Sequence, residues 1–164
     1  MTYLWVALAL ASNDPARNTL SLPVAPLLAG GVSLQAERST DTLDWSFAAS
    51  VGARSSASGD YRGFNLSLGL EARRWWHVGP LASSSRFGTV GGVFSWARAD
   101  AVWVRLESRD AVVGASVRPS LSLGVGYRLL PVWRLEITPL IGAAFDVEAL
   151  RLTASFGLTV GLVF

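Results

Sequence analysis

Residues 150–164 read LRLTASFGLTVGLVF. Every even-numbered position in this segment is apolar, whereas the odd-numbered positions from 151 to 161 carry arginine, threonine, serine or glycine. Successive side chains of a β-strand point to opposite faces, so one face of this segment is apolar over its whole length. Strands of soluble proteins usually have about 5 to 6 residues, whereas a tilted membrane strand has about 9 to 11. The segment is therefore predicted to be a strand that faces lipid.

The same alternation recurs through most of the chain, separated by short turn-like breaks. An even number of strands returns both termini to the periplasmic side, as in bacterial outer-membrane barrels. The predicted fold is an all-β, antiparallel, up-and-down transmembrane β-barrel. Its eight predicted strands are 18–27, 31–38, 43–54, 61–76, 88–99, 112–129, 133–146 and 150–164.

Two segments depart from simple alternation. In 88–107, Arg98 and Asp100 share the parity of the apolar residues. A lipid-facing charge at mid-depth costs about 2 to 4 kcal/mol, so these two residues are expected outside the bilayer, in a loop or strand extension. In 20–38, Pro23, Pro26 and Gly30-Gly31 interrupt the pattern, which predicts a turn or bulge.

Composition limits the class of protein. The 164 residues suit one domain, assigned here to 18–164; 51% are hydrophobic, 16% are charged and the mean hydropathy is +0.38. No apolar run reaches the roughly 20 residues that a membrane helix needs. The basic residues are scattered arginines without a cluster, which argues against a nucleic-acid partner. The chain has no cysteine and hence no disulfide.

The N-terminal residues 1–11 form an apolar run that ends in Ala9-Leu10-Ala11, a sequence of the kind that signal peptidase cleaves. We interpret this segment as the remnant of a signal peptide. The run lacks a basic flank, and a first strand is the alternative interpretation.

Charged residues recur on the polar parity of the predicted strands. Charges in a narrow lumen are tolerated only when they are paired and hydrogen-bonded, so we expect an ion-pair network that closes the interior. An anion-selective path is the alternative, although eight strands leave little free bore. The predicted network comprises Asp44, Arg54, Glu71, Arg73, Arg118, Arg134, Glu136 and Arg151.

Aromatic residues near the predicted strand ends are assigned to the belts at the membrane interfaces. The predicted belt comprises Trp45, Trp75, Trp76, Trp96, Tyr127 and Trp133. The single histidine, His77, precedes Ser83-Ser84-Ser85, but no catalytic motif surrounds it, and a polar turn explains it better. No catalytic, metal or cofactor site is predicted.

The chain resembles the small eight-stranded bacterial outer-membrane barrels. The segment Gly124-Val125-Gly126-Tyr127-Arg128, a short turn and Trp133-Arg134-Leu135-Glu136 are similar to their periplasmic hairpin. The terminal Phe164, preceded by Leu162 and Val160, resembles the signal read by the barrel-assembly machinery. The resemblance covers about residues 18–164 and is greatest to short-looped members. It implies location in the cell outer membrane, with lipid and the assembly machinery as partners.

The expected function is that of a structural or envelope barrel without catalysis. Three alternatives are a soluble lipocalin-like binding barrel, a lipid-modifying outer-membrane enzyme and a small pore. A lipocalin-like barrel would turn the apolar face inward around a ligand, whereas a membrane barrel turns it outward. The enzyme requires a positioned nucleophile, and the sequence does not identify one.

Overall fold

In a computed structural model, the chain forms one closed antiparallel barrel in which each strand pairs with its neighbours in sequence and β1 pairs with β8. The structure describes residues 18–40, 44–76, 91–108, 111–132 and 135–163. The strands are β1 (Asn18–Pro23), β2 (Gly31–Ser39), β3 (Trp45–Ser58), β4 (Tyr61–Trp76), β5 (Gly92–Ser108), β6 (Ala111–Val132), β7 (Leu135–Asp146) and β8 (Arg151–Val163); one short helix, α1 (Val24–Leu28), joins β1 to β2.

The predicted fold class and the number of strands are thus confirmed, whereas the fifth strand, predicted at 88–99, extends from Gly92 to Ser108. Following the Cα partners around the barrel from Arg151 on β8 leads back to Gly161 on the same strand, a stagger of ten residues. Such a stagger tilts the strands relative to the barrel axis. Among the described residues, no helix is long and apolar enough to cross a membrane.

The first predicted strand, 18–27, is wrong in its second half. β1 ends at Pro23 and α1 follows. Proline donates no hydrogen bond to a sheet, but Pro26 is tolerated in the first turn of a helix, where amide hydrogens have no intrahelical acceptor. Gly30 then takes a φ of +76°, which turns the chain into β2.

The interpretation of Arg98 and Asp100 is also wrong. Both lie well inside β5, and their Cα partners on β4 are Glu71 and Gly69, which face the lumen. The apolar residues of their parity, Phe94 among them, therefore face inward too. The outward parity of β5 is made of small residues such as Ala97 and Ala99, which gave only a weak signal in the sequence.

The two faces of the wall differ in polarity. Among the described residues, buried polar and charged side chains outnumber buried apolar ones. Among the described residues, the outer face instead carries large exposed apolar side chains on every strand except β5, whose outward residues are mostly small; Leu68, Leu123 and Phe156 are 64%, 66% and 71% exposed. This is the reverse of a soluble globular protein.

Several sequence-based assignments lie outside the described residues. These are the signal segment 1–11, His77 and the serines after it, Trp133, Arg134 and Phe164.

Candidate functional site: the barrel lumen

The lumen has two parts, of which the lower, at the end that holds Asn18 and Val163, is filled by an ion-pair chain. Glu37 of β2 lies at its centre and accepts hydrogen bonds from Arg73 of β4, at 2.6 Å, and from Arg128 of β6. All three side chains are buried. One carboxylate thus bridges two guanidinium groups from distant strands.

The chain of charges continues upward from Arg73. Glu71 accepts a hydrogen bond from Arg73 Nε and another from Gln35 Nε2 at 3.3 Å. Its second oxygen lies 3.7 Å from a guanidinium nitrogen of Arg98, which in turn pairs with Asp100 at 2.6 Å. Arg98 also donates to Ser50 Oγ at 3.0 Å.

The network ends below at Glu136 of β7. Its Oε2 lies 2.8 Å from Arg128 Nε, and neither side chain has measurable exposure. Arg128 therefore lies between two carboxylates, those of Glu37 and Glu136. Taking charges out of water costs several kcal/mol each unless partners of opposite charge compensate, and here each buried arginine has two.

An aromatic cluster packs against these charges. Trp75, Phe94 and Trp96 are buried together, with Leu140 against them. The Arg128 guanidinium carbon lies 4.6 Å from the Trp75 ring centroid and that of Arg73 lies 4.9 Å from the Phe94 centroid. Both distances fall within the range of cation–π attraction, which is strengthened where water is excluded.

Gly126 on β6 makes room for one of these rings. Gly124 and Gly126 are the Cα partners of Trp96 and Phe94. A Cβ added at Gly126 would collide with the Phe94 ring and lie 2.7 Å from Leu140 Cδ2. The lower lumen is therefore filled by rings over glycines as well as by ions.

The upper lumen, toward the Gly59-Asp60 turn, is an open vestibule. Its inward residues are mostly small or polar, such as Ser67 and Ser116, and are partly exposed. Arg118 and Glu148 approach to 3.8 Å there, with side chains 58% and 60% exposed. Because water screens the charges of an exposed ion pair, this pair contributes little to stability.

Three of the residues predicted for the ion-pair network, Glu71, Arg73 and Glu136, lie in it. Four others that the structure describes do not join them. Arg54, Arg118 and Arg151 share the inward parity but lie in the exposed upper half, and Asp44 is exposed in the turn ahead of β3. Alternation gives the face of a residue but not its depth.

Four members of the network were missed: Glu37, Arg98, Asp100 and Arg128. Arg128 continues the polar parity of β6, and Glu37 continues that of Ser33 and Gln35, so both were detectable by alternation. Arg98 and Asp100 were concealed because their strand carries apolar residues on the inward face.

Two of the residues predicted for the aromatic belt lie elsewhere. Trp45, Trp76 and Tyr127 lie on the outer face near one end. Trp75 and Trp96 are wrong, because they are buried in the lumen at 3% and 6% exposure. Trp75 shares the parity of Glu71 and Arg73, and its indole nitrogen donates to Ser46 Oγ at 3.1 Å.

The described residues contain no group of three or more histidine, cysteine, aspartate or glutamate side chains that could hold a metal ion. What the described lower lumen offers is a set of charged side chains, each within 4 Å of a side chain of opposite charge.

The chain matches no protein-family model and no curated protein sequence. It is similar to the crystal structure of Neisserial surface protein A, at 12% identity and a TM-score of 0.49, covering 91% of this chain and 94% of the other.

Proposed function

We propose that this protein is an integral outer-membrane β-barrel with a structural or envelope role, without catalysis, whose lower lumen is closed. The observation that carries the proposal is the continuous apolar outer face. Monomeric soluble proteins rarely expose apolar patches larger than a few hundred Å², and the outer face of this barrel is apolar on every strand. Lipid is the solvent that such a surface fits.

The height of the apolar face fits a bilayer. On β4, the outward residues Arg62 and Arg74 stand twelve positions apart, and the five outward positions between them are uncharged. At about 3.3 Å per residue and a tilt of about 40°, this span has a height of about 30 Å. Outer-membrane barrels carry an apolar band of about 25 Å between aromatic girdles.

Aromatic and arginine residues mark both borders of this band. At the lower border, the Arg74 guanidinium carbon lies 5.7 Å from the ring centroid of Trp45 and 5.2 Å from that of Trp76. At the upper border, Phe64 meets Trp103 edge to face at 6.2 Å, beside Arg105. Tryptophan and arginine favour interfaces because they have an apolar body and a polar end.

The interior of the barrel argues against two alternative functions, a lipocalin-like binding protein and a small pore, because both need open space inside the barrel. A lipocalin-like barrel needs an apolar cavity at its centre, whereas buried charges fill the lower half of this one. A small pore needs a continuous aqueous path, and the Glu37, Arg73 and Arg128 contacts span the bore from three strands. We therefore favour a closed barrel.

Insertion into the outer membrane is the property that tests the proposal. The chain, exported with a signal peptide in a Gram-negative host, is expected in the outer-membrane fraction, to require detergent for extraction and to change gel mobility on heating. Recognition by the assembly machinery predicts that removal of Phe164 lowers surface levels in cells but leaves refolding in detergent intact. Extraction of the intact chain by aqueous buffer alone would overturn the membrane assignment.

A further inference from the structure

The barrel wall is incomplete in its upper half on one side. β1 pairs with β8 only at Thr159 to Val163, and β2 pairs with β3 only as far as Arg54. Above these points, no described residue pairs with residues 151–158 of β8 or 55–58 of β3 on the facing edges. The short β1–α1–β2 connection therefore leaves a gap between two long strands.

The gap lies at the depth of the apolar band. The unpaired part of β8 carries Leu152 and Phe156 on its outer face, at 72% and 71% exposure. Helix α1 follows the upper end of β1, contacts β2 and β8, and exposes Leu27 and Leu28 at 45% and 86%. Irregular backbone at membrane depth is tolerated only where it is covered or lines a watered cavity, and the vestibule is such a cavity.

A cavity adjoins the lower margin of this gap, where α1 and Arg54 line it. It has a volume of about 380 Å³ and runs from α1 to β5, which is opposite β1 in the eight-stranded ring. The size falls within the usual range for ligand sites, about 300 to 1,000 Å³. Its lining is mainly apolar or small, and includes Ala25, Pro26, Ser33, Gly52, Ser67 and Val102.

One cation lines the same cavity. Arg54 is exposed, and among the described residues it has no acidic side chain within ion-pair distance. A guanidinium in this position suits a phosphate or carboxylate, which it binds with two parallel hydrogen bonds. The cavity thus combines an apolar end at Val102 with a cationic group.

We infer that this gap is a lateral entrance through which one hydrocarbon chain of an anionic membrane lipid enters the cavity toward Val102, with the lipid head group held by Arg54. The inference rests on the proposed membrane insertion. The termini would lie on the periplasmic side, so the lipid would come from the outer leaflet. In a complete wall, a lipid chain would reach only outward residues, so contact with the inward-facing Val102 distinguishes the two arrangements.

Photolabelling tests the inference directly. The full chain, folded into vesicles that contain phosphatidylglycerol with a diazirine on its acyl chain, is illuminated, and labelled residues are identified by mass spectrometry. We expect label on Val102 or Ser67 as well as on the outward Leu123. Label on Leu123 without any on the cavity residues would overturn the entrance while leaving membrane insertion intact. Absence of label from all of these positions would contradict both proposals.

Two cavity-filling variants make the test specific. Ser67→Phe and Ala25→Phe should each reduce labelling of Val102 about tenfold, the change that about 1.4 kcal/mol of lost affinity produces. Ala25 is exposed on α1, so its replacement does not disturb the core. The controls are Ser116→Phe in the vestibule and Leu28→Phe on α1, neither of which lines the cavity. Unchanged labelling of Val102 in both filling variants would exclude this route.

The role of Arg54 has its own comparison. A phosphatidylcholine probe with the same diazirine chain should label Val102 less than the phosphatidylglycerol probe, and Arg54→Gln should abolish the difference. Equal labelling of the intact protein by the two probes would refute the anionic preference.

Discussion

At the scale of single residues, Glu37 is the carboxylate on which the lower lumen depends. It bridges Arg73 and Arg128, whereas Glu136 contacts Arg128 alone within 4 Å among the described arginines. Removing one partner of a buried ion pair leaves an uncompensated charge, which costs about 3 to 5 kcal/mol. A residue that compensates two charges should therefore matter more than one that compensates a single charge.

We accordingly predict that Glu37→Gln lowers the free energy of unfolding by about 3 to 5 kcal/mol, and that Glu136→Gln lowers it less, because Arg128 keeps Glu37 as a partner. The exposed Glu148 provides the control, since Glu148→Gln should change stability by less than about 1 kcal/mol. Urea unfolding in detergent micelles measures all three. Similar losses at positions 37 and 148 would show that water reaches the lower lumen.

A second residue-scale prediction concerns the turn between β7 and β8. Leu150 has a φ of +50° and a side chain that is 76% exposed. The left-handed region costs an ordinary residue about 1 to 2 kcal/mol, and asparagine tolerates it better. Leu150→Asn should therefore raise the unfolding midpoint, whereas Leu152→Asn on the extended β8 should lower it. A fall in the midpoint for Leu150→Asn would contradict the strained conformation.

At the scale of elements, β5 and β6 show how one strand's composition depends on its neighbour. The rings of Phe94 and Trp96 on β5 lie opposite Gly126 and Gly124 on β6. An aromatic ring covers a glycine in a neighbouring strand without collision, and the pair fills space that two medium side chains would fill less closely.

This arrangement predicts a large effect from one methyl group. Gly126→Ala should destabilise the barrel by about 1 to 3 kcal/mol, the usual cost of overpacking, because Phe94 and Leu140 must shift. Gly114→Ala, on the same strand and the same face, has nothing within 4 Å of its new methyl group. It should have little effect on the unfolding free energy. Equal effects at the two positions would mean that the ring does not rest on Gly126.

At the scale of the whole molecule, the barrel reverses the usual distribution of polarity between its two faces. If the apolar outer face lies in lipid, the cost of an outward arginine should depend strongly on its depth in the bilayer. Leu123→Arg should cost about 2 to 4 kcal/mol of folding free energy in vesicles, as an arginine at the bilayer midplane does. Val113 is also exposed on β6 but lies beyond the level of Arg105, and Val113→Arg should cost much less. If the two cost the same, the band does not lie in lipid.

The proposed closure of the lumen gives a second prediction at this scale. The intact protein should show no steady conductance in a planar bilayer, because the Glu37–Arg73–Arg128 contacts cross the lumen. A large porin measured in the same bilayer is the positive control. Reproducible single-channel steps of uniform size from the purified barrel would establish a pore.

The alternation of the chain by itself determined the fold class, the number of strands and most of their borders. The alternation of apolar and polar residues is a property of each segment by itself. The strands β4, β6 and β8 were recognisable because one face of each is continuously apolar. The same parity would have placed Trp75 with Glu71 and Arg73, so that residue was within reach of the sequence.

Only the tertiary structure decided which charges meet and where the wall opens. Depth along the lumen depends on the stagger of all eight strands, which places Glu37 beside Arg73 and Arg128 but leaves Arg54 and Arg118 in the vestibule. The inward face of β5 had to be inferred from its partners, because its apolar residues pack on neighbouring glycines rather than on lipid. The physical reason is that contacts between side chains of distant strands depend on how all eight strands pair around the barrel. The sequence of a single strand does not determine that pairing.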